Sequence, residues 1–279
     1  MSHPVFTFPT PSQPMAFDGE RYTTGIEGAI QHEHYHRYLF ALRWCAGRDV
    51  LDVASGEGYG SVLLGQVARS VIGVDIDQAA VDFATANYAT PHVTYRQGDA
   101  TRIPVPDHSV DVVVSFETIE HFADQSAFIA EIDRVLRPGG VVVISSPNRD
   151  IYTGVLGNQN PFHVHEMNQA EFEAALRQRF AHLWLLEQGP VLGSVMVPVP
   201  GMSTQGVEGF WTLNGNSFGQ MGGVPGAAYL IAVASREPLA PPPQSVLHAP
   251  NYLGHLQHRL RELTDQNAQL RAKLAELSK

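Results

Sequence analysis

The stretch Val50-Leu51-Asp52-Val53-Ala54-Ser55-Gly56-Glu57-Gly58-Tyr59-Gly60 runs a short apolar strand straight into a glycine-rich turn. A second apolar run, Val71-Ile72-Gly73-Val74-Asp75, ends in an acid. In an open α/β sheet this pairing holds a nucleoside. Glycines let the backbone approach the ligand, and an acid at the tip of the next strand accepts hydrogen bonds from ribose hydroxyls.

Glycine pairs also close ordinary loops, so the neighbouring segments matter. Asp52 sits at the strand end just before the turn, where a buried acid needs partners. Gln97-Gly98-Asp99-Ala100 follows a third apolar segment, Val93-Thr94-Tyr95. Asp111-Val112-Val113-Val114-Ser115-Phe116 reads as a fourth strand, and Leu136-Arg137-Pro138-Gly139-Gly140 as a turn feeding a fifth, Val141-Val142-Val143-Ile144. A nicotinamide fold would want a third glycine where Ser61 stands.

On these residues the sequence resembles the class I S-adenosylmethionine-dependent methyltransferases. The resemblance covers residues 48–148 closely and 17–236 more loosely. It implies an α/β fold, a doubly wound, mostly parallel seven-stranded Rossmann-like sheet. It also implies S-adenosylmethionine as cofactor, held by Asp52, Ala54, Gly56 and Gly58 of the turn, with Asp75 on the ribose. Ile76 and Ala100 would flank the adenine, Asp99 would meet its amino edge, and Phe116 would also contact the cofactor.

Composition narrows the class. A chain of 279 residues suits one α/β domain with additions. Its single cysteine, Cys45, excludes an internal disulfide framework, and the amino terminus lacks a signal-peptide pattern, so a cytoplasmic location is expected. No apolar run approaches the ~18 residues of a membrane span. A formal charge of −10 argues against a nucleic-acid partner.

Four regions are expected: an arm and capping helix over 1–47, the cofactor-binding domain over 48–236, a Pro-rich linker over 237–251 and a helix over 252–279. Helices are predicted over 26–45, 60–68, 78–88, 126–136 and 168–180, with Asp77 and Asn168 as N-caps and Glu171 completing a capping box. Leu183–Glu187 and Tyr229–Ala234 read as a closing pair of strands, separated by a long Gly-, Met- and Pro-rich loop, Gly189–Gly226, carrying Phe210 and Trp211.

Methyl transfer from a sulfonium is an in-line displacement in which the protein mainly positions the reactants, and an oxygen acceptor also needs a base. Glu117-Thr118-Ile119-Glu120-His121 follows the fourth strand and looks like the metal-binding stretch of ubiquinone-pathway O-methyltransferases. Glu117, Glu120 and His121 would then hold a divalent ion such as Mg²⁺; hydrogen bonding alone is the other reading. Asn160-Pro161-Phe162-His163-Val164-His165-Glu166 resembles the Phe-His-x-x-Glu segment of methyltransferases that modify bacterial polysaccharide sugars. In extended geometry His163 and His165 share a face. His163, His165 or His121 is the expected base, with Glu117 beside it. The block Glu20-Arg21-Tyr22 through His34-Tyr35-His36-Arg37 is similar to the capping segment of those enzymes, so Tyr22 and Arg37 are expected near the cofactor or acceptor. On a helix His32 and His36 share a face and His34 points elsewhere.

The leading expectation is an O-methyltransferase for a sugar or glycan acceptor in surface polysaccharide biosynthesis. The alternatives are a quinone or secondary-metabolite methyltransferase, and a methyltransferase-like module whose work is assembly. A nucleic-acid amino methyltransferase is disfavoured, because Phe116-Glu117-Thr118-Ile119 replaces the Asn/Asp-Pro-Pro-aromatic turn of that group.

The tail adds a separate signal. Leu253, Leu260, Asn267 and Leu274 fall at heptad a, and Leu256, Leu263, Leu270 and Leu277 at d. A narrow seam with one Asn at a favours a parallel two-stranded coiled coil, hence a homodimer or docking onto a partner enzyme.

Overall fold

The computed structural model describes residues 5–8, 10–16, 19, 21–190, 209–214, 217–221, 223–224, 226–247, 260–268 and 270–271. The elements are α1 (Ala29–Cys45), β1 (Asp49–Val53), α2 (Tyr59–Leu64), β2 (Ser70–Asp75), α3 (Gln78–Tyr88), β3 (Val93–Gln97) and β4 (Val110–Ser115). After a 3₁₀ turn at Ile119–His121 come α4 (Gln125–Val135), β5 (Leu136–Pro147), α5 (Arg149–Tyr152), α6 (Gln169–Arg177), β6 (His182–Gln188), β7 (Gly209–Asn214), β8 (Ser217–Met221) and β9 (Tyr229–Ser235).

Seven strands form one sheet in the order β3-β2-β1-β4-β5-β9-β6. The first five are parallel, and β9 runs antiparallel between β5 and β6. Strand order reverses between β1 and β4, which opens a crevice beyond their carboxyl ends.

Both faces of the sheet are covered, so the central strands read as unbroken apolar runs rather than alternating ones. Val112 and Val114 face one core with Val50, Leu63 and Tyr38. Val113 faces the other with Leu51, Phe128, Ile132 and Phe172. Phe128 and Phe172 are fully buried, each contributing roughly 1.5–3 kcal/mol over an exposed side chain.

The two caps predicted from the sequence are present, and Asp124 and Asn148 cap α4 and α5 in addition. Asp77 accepts from Ala79 N, and Asn168 with Glu171 forms a reciprocal capping box. The Leu136–Gly140 turn is instead a break within one long strand: Val110 pairs with Leu136 but Val112 with Val141. The extra residues carry Pro138 and Gly139, the latter at φ 74, which cannot continue a regular ladder.

The Gly189–Gly226 insertion is not all loop, since β7 and β8 pair antiparallel within it. Residues 191–208 and the side chains of Phe210 and Trp211 lie outside the described set. The first part of the Pro-rich linker rests on the domain. Trp184 Nε1 donates to Leu239 O at 3.2 Å, and His36 Nε2 lies 2.8 Å from Ser245 Oγ.

In the tail, residues 260–268 and 270–271 are helical. Leu260, Leu263 and Leu270 are exposed there, and Leu253, Leu256, Leu274 and Leu277 lie outside the described residues. Among the described residues no helix is long and apolar enough to cross a membrane.

Candidate active site

A cavity of about 540 Å³ lies beyond the carboxyl ends of β1, β2 and β4. One half is built by the glycine turn. Ala54, Gly56 and Gly58 all take positive φ, at 59, 53 and 95°. Gly58 is also sterically required, because a Cβ there would lie 2.6 Å from Ala84 Cβ. Asp75 ties the turn to the next strand: its carboxylate accepts from Gly56 N at 2.8 Å and from Asp77 N at 3.0 Å.

Of the residues expected at the cofactor, Tyr22, Ala54, Gly56, Asp75, Ile76, Asp99, Ala100 and Phe116 line this cavity. Ile76 is 69 % exposed, an apolar face suited to a flat ring. Asp99 also anchors its own turn, accepting from Thr101 N at 2.7 Å. Gly58 and Asp52 lie behind the wall. Asp52 is fully buried and accepts from Ser61 Oγ at 2.6 Å and Tyr38 Oη at 3.2 Å. Burial pushes its carboxyl up to about 7, against the pull of those two hydrogen bonds.

Gly19 and residues 21–24 roof this half. Arg21 Nη1 donates to Asp77 Oδ2 at 2.8 Å, and Tyr22 stacks on His34 with centroids 4.9 Å apart. Thr24 gives both its N–H, at 2.6 Å, and its Oγ1, at 2.7 Å, to the buried Glu57 carboxylate. A Cβ on Gly19 would meet the Phe162 ring at 3.9 Å. His34, Tyr38 and Tyr59 complete the wall. Burial, with Arg37 nearby, holds the His34 imidazole well below its ordinary range, so this wall is neutral.

The other half holds the chemistry-bearing side chains. Glu117, Glu120, His121 and His163 line it with Tyr152 and Asn160. Glu117 takes a positive φ of 54°, an uncommon conformation for a side chain bearing a Cβ. Ser145 Oγ accepts from Glu117 N at 2.9 Å and donates to its Oε1 at 2.6 Å.

Arg37 does not line this cavity. It lies behind Glu117, with its Nε donating to Gln188 Oε1 at 2.7 Å and its guanidinium 4.3 Å from the Tyr229 ring centre. Burial opposes its charge, and Glu117, Tyr229 and Glu33 more than restore it.

Glu120 is fully buried, and neither carboxylate oxygen has a hydrogen-bond partner among the described residues. Burial, then the charge of Glu117, pushes its carboxyl well above the carboxylate range. Its backbone oxygen accepts from Val164 N at 2.9 Å and His165 N at 3.0 Å, which docks the histidine loop.

His163 and His165 do not share a face. A turn closed by His163 N donating to Asn160 O at 3.1 Å, and a bend at Val164, break the extended alternation. His163 points inward and His165 is exposed. His121 donates from Nδ1 to Phe162 O at 3.0 Å, and its ring stands perpendicular to that of His163 at 5.3 Å. Donor atoms of Glu120, His121 and His163 lie within 4.8 Å of one another.

Sequence reasoning missed Glu57, His34, Tyr38 and Tyr59. Only Glu57, an acid between two turn glycines, carried a local signal.

Residues 51–144 match the family described as "Methyltransferase domain". Residues 51–144 are thus similar to methyltransferase domains. A Mycolicibacterium smegmatis protein named as a probable S-adenosylmethionine-dependent methyltransferase is 47 % identical over 161 residues, covering 57 % of this chain and 62 % of that protein. A Mycobacterium tuberculosis protein of the same description is 45 % identical over 152 residues, covering 54 % and 55 %. The chain thus spans a little over half the length of these curated relatives. The M. tuberculosis phthiotriol/phenolphthiotriol dimycocerosates methyltransferase is 34 % identical over 121 residues, covering 42 % and 44 %.

The fold matches a chain of the complex between the Haloferax volcanii Trm112 methyltransferase activator and a methyltransferase (TM-score 0.53, 21 % identity, 74 % of this chain and 89 % of that one). It also matches a SAM-dependent methyltransferase of Thermotoga maritima (TM-score 0.51, 18 % identity, 73 % and 91 %).

Proposed function

We propose that this protein is an O-methyltransferase that moves the sulfonium methyl of S-adenosylmethionine to a hydroxyl of a sugar or glycan acceptor. One observation carries the reading: the glycine turn with Asp75 and the histidine cluster with Glu120 line the same cavity. The acceptor oxygen attacks the methyl carbon, the C–S bond breaks with its electron pair passing to sulfur, and the hydroxyl proton goes to an imidazole. His163 and His121 face that position, whereas His165 does not. Glu120, His121, His163, Gln159 and Asn160 give the acceptor half a hydrogen-bonding character suited to a polyol.

A small apolar acceptor is a second reading. It is supported by the exposed Val155, Leu156, Phe162 and Val164 around the histidine loop, and by the dimycocerosate relative. Incubation with labelled S-adenosylmethionine and a panel of sugars, nucleotide-sugars, catechols and lipid alcohols tests both. His163→Ala or His121→Ala should lower turnover by ~10²-fold or more with cofactor affinity retained. Wild-type rates in both variants would sink the assignment of the base.

A divalent ion is a further branch of the same reading. The two unpartnered oxygens of buried Glu120, with the nitrogens of His121 and His163, suit a borderline ion better than the all-oxygen shell of Mg²⁺. Glu117, expected as a ligand, is held by Ser145. Bound there, an ion would acidify the acceptor hydroxyl and occupy His163 Nε2, so this branch excludes His163 as the base. Activity undiminished by chelation, with no metal recovered from the protein, removes this branch.

Self-association through the tail is the proposed partner contact. Leu260, Leu263 and Leu270 expose an apolar seam broken by Asn267. Light scattering should give a dimer for the full chain and a monomer for a chain ending at Arg236; equal monomer masses would refute it.

A further inference from the structure

His163 has two ring nitrogens, and its neighbours decide which of them carries the proton. Nδ1 lies 2.7 Å from Glu166 Oε1, and a carboxylate only accepts, so Nδ1 holds the hydrogen. On the opposite side, Asn160 Oδ1 accepts from Phe162 N at 3.0 Å, which turns its amide nitrogen toward His163. That amide nitrogen lies 2.9 Å from Nε2, and an amide NH₂ only donates, so Nε2 carries the lone pair. Two independent partners therefore select the same tautomer. The second oxygen of Glu166 accepts from Thr153 Oγ1 at 2.5 Å, which anchors the carboxylate from its other side. The His163 and Glu166 side chains are 8 % and 11 % exposed, so water does little to loosen the pair.

The geometry points to Glu166, steadied by Thr153, as the positioning residue that makes His163 the base of the proposed methyl transfer. Asn160 holds the Nε2 position until the acceptor arrives. The assignment rests on the methyltransferase reading above. In the step, the acceptor O–H bond breaks as an N–H bond forms on Nε2. The acceptor oxygen bonds to the methyl carbon, and the C–S bond electrons return to sulfur. The imidazolium that results is flanked by the Glu166 carboxylate, which stabilises it without taking the proton. Solvent then removes that proton. His121 differs, because its Nδ1 partner is the neutral carbonyl of Phe162, which fixes a tautomer but offers no charge to an imidazolium.

The test uses the full chain labelled with ¹⁵N-histidine, with His163→Gln to assign the His163 signals. In the wild type, Nδ1 of His163 should read as protonated and Nε2 as bare. In Glu166→Gln the amide can turn its NH₂ to Nδ1, and the spectrum should shift toward the other tautomer. Glu166→Asp should keep the original one. Turnover of labelled S-adenosylmethionine, with catechol and methyl α-glucopyranoside as hydroxyl probes, should fall roughly tenfold or more in Glu166→Gln through kcat. KM and cofactor Kd should stay within about twofold, and Thr153→Val should show a smaller loss in the same direction. An unchanged His163 spectrum in Glu166→Gln, or turnover independent of Glu166, overturns the assignment and leaves the methyltransferase reading standing. Failure of the wild type to bind S-adenosylmethionine overturns that reading instead.

Discussion

Arg37 Nη1 lies 3.6 Å from Glu117 Oε1, with 1 % and 17 % of the two side chains exposed. The pair joins the first helix to the strained residue after β4. It explains how an acid at φ 54° is kept at the cavity wall. Arg37→Met removes the cation that faces this carboxylate and leaves the acid half-buried and uncompensated. Denaturant unfolding should show a loss of about 3 kcal/mol or more. Adding Glu117→Gln should recover part of that loss, and Arg37→Lys should fall between, because an ammonium cannot also lie over Tyr229 and reach Gln188. A strictly additive double variant would show that the two residues do not interact.

Asp75 both shapes the glycine turn and faces the cavity. Asp75→Ala should weaken S-adenosylmethionine binding by about 1–3 kcal/mol in a calorimetric titration. The spent thioether cofactor should lose the same amount, since both carry the same ribose. A loss confined to one of them would place Asp75 away from the ribose.

Gly58 allows a sharper test of the turn. A methyl at this position meets Ala84 at 2.6 Å while the backbone stays at φ 95°. Gly58→Ala should lower stability by roughly 1–3 kcal/mol and reduce cofactor affinity with it. Gly157, at φ 68° with open space around it, should accept Ala at a cost of about 1 kcal/mol from backbone conformation alone.

At the opposite end of the sheet, Asp49 meets Arg69 and Arg137, and Asp111 meets the same two arginines. The Arg69 hydrogen bond, opposed by partial burial, holds the Asp49 carboxyl well below its ordinary range. A depressed acid binds fewer protons folded than unfolded. Its stabilisation is therefore complete above the ordinary carboxylate value of about 4 and is lost as pH falls through the folded value. Asp49→Asn should lower the melting temperature at pH 7, with the gap to wild type closing below about pH 4. A gap that persists at low pH would assign the effect to packing.

Much of the fold and half of the site were legible in the sequence. The glycine turn, the acid ending β2 and the valine runs obey local rules, because backbone conformation and two-sided burial restrict residue type. The caps at Asp77 and Asn168 were legible for the same reason. Arg37, Glu57 and His34 were not legible in their roles, since each acts through a partner distant in sequence: Glu117, Thr24 and Tyr22. His165 shows the limit of a periodicity argument, because a single bend at Val164 exchanged the faces that alternation assigned.

The roof over the glycine turn ties cofactor exchange to the solution around the protein. Arg21 and Asp77 are 18 % and 34 % exposed, so ions reach and screen the pair that closes the roof. Raising ionic strength should quicken the exchange of cofactor for its spent form.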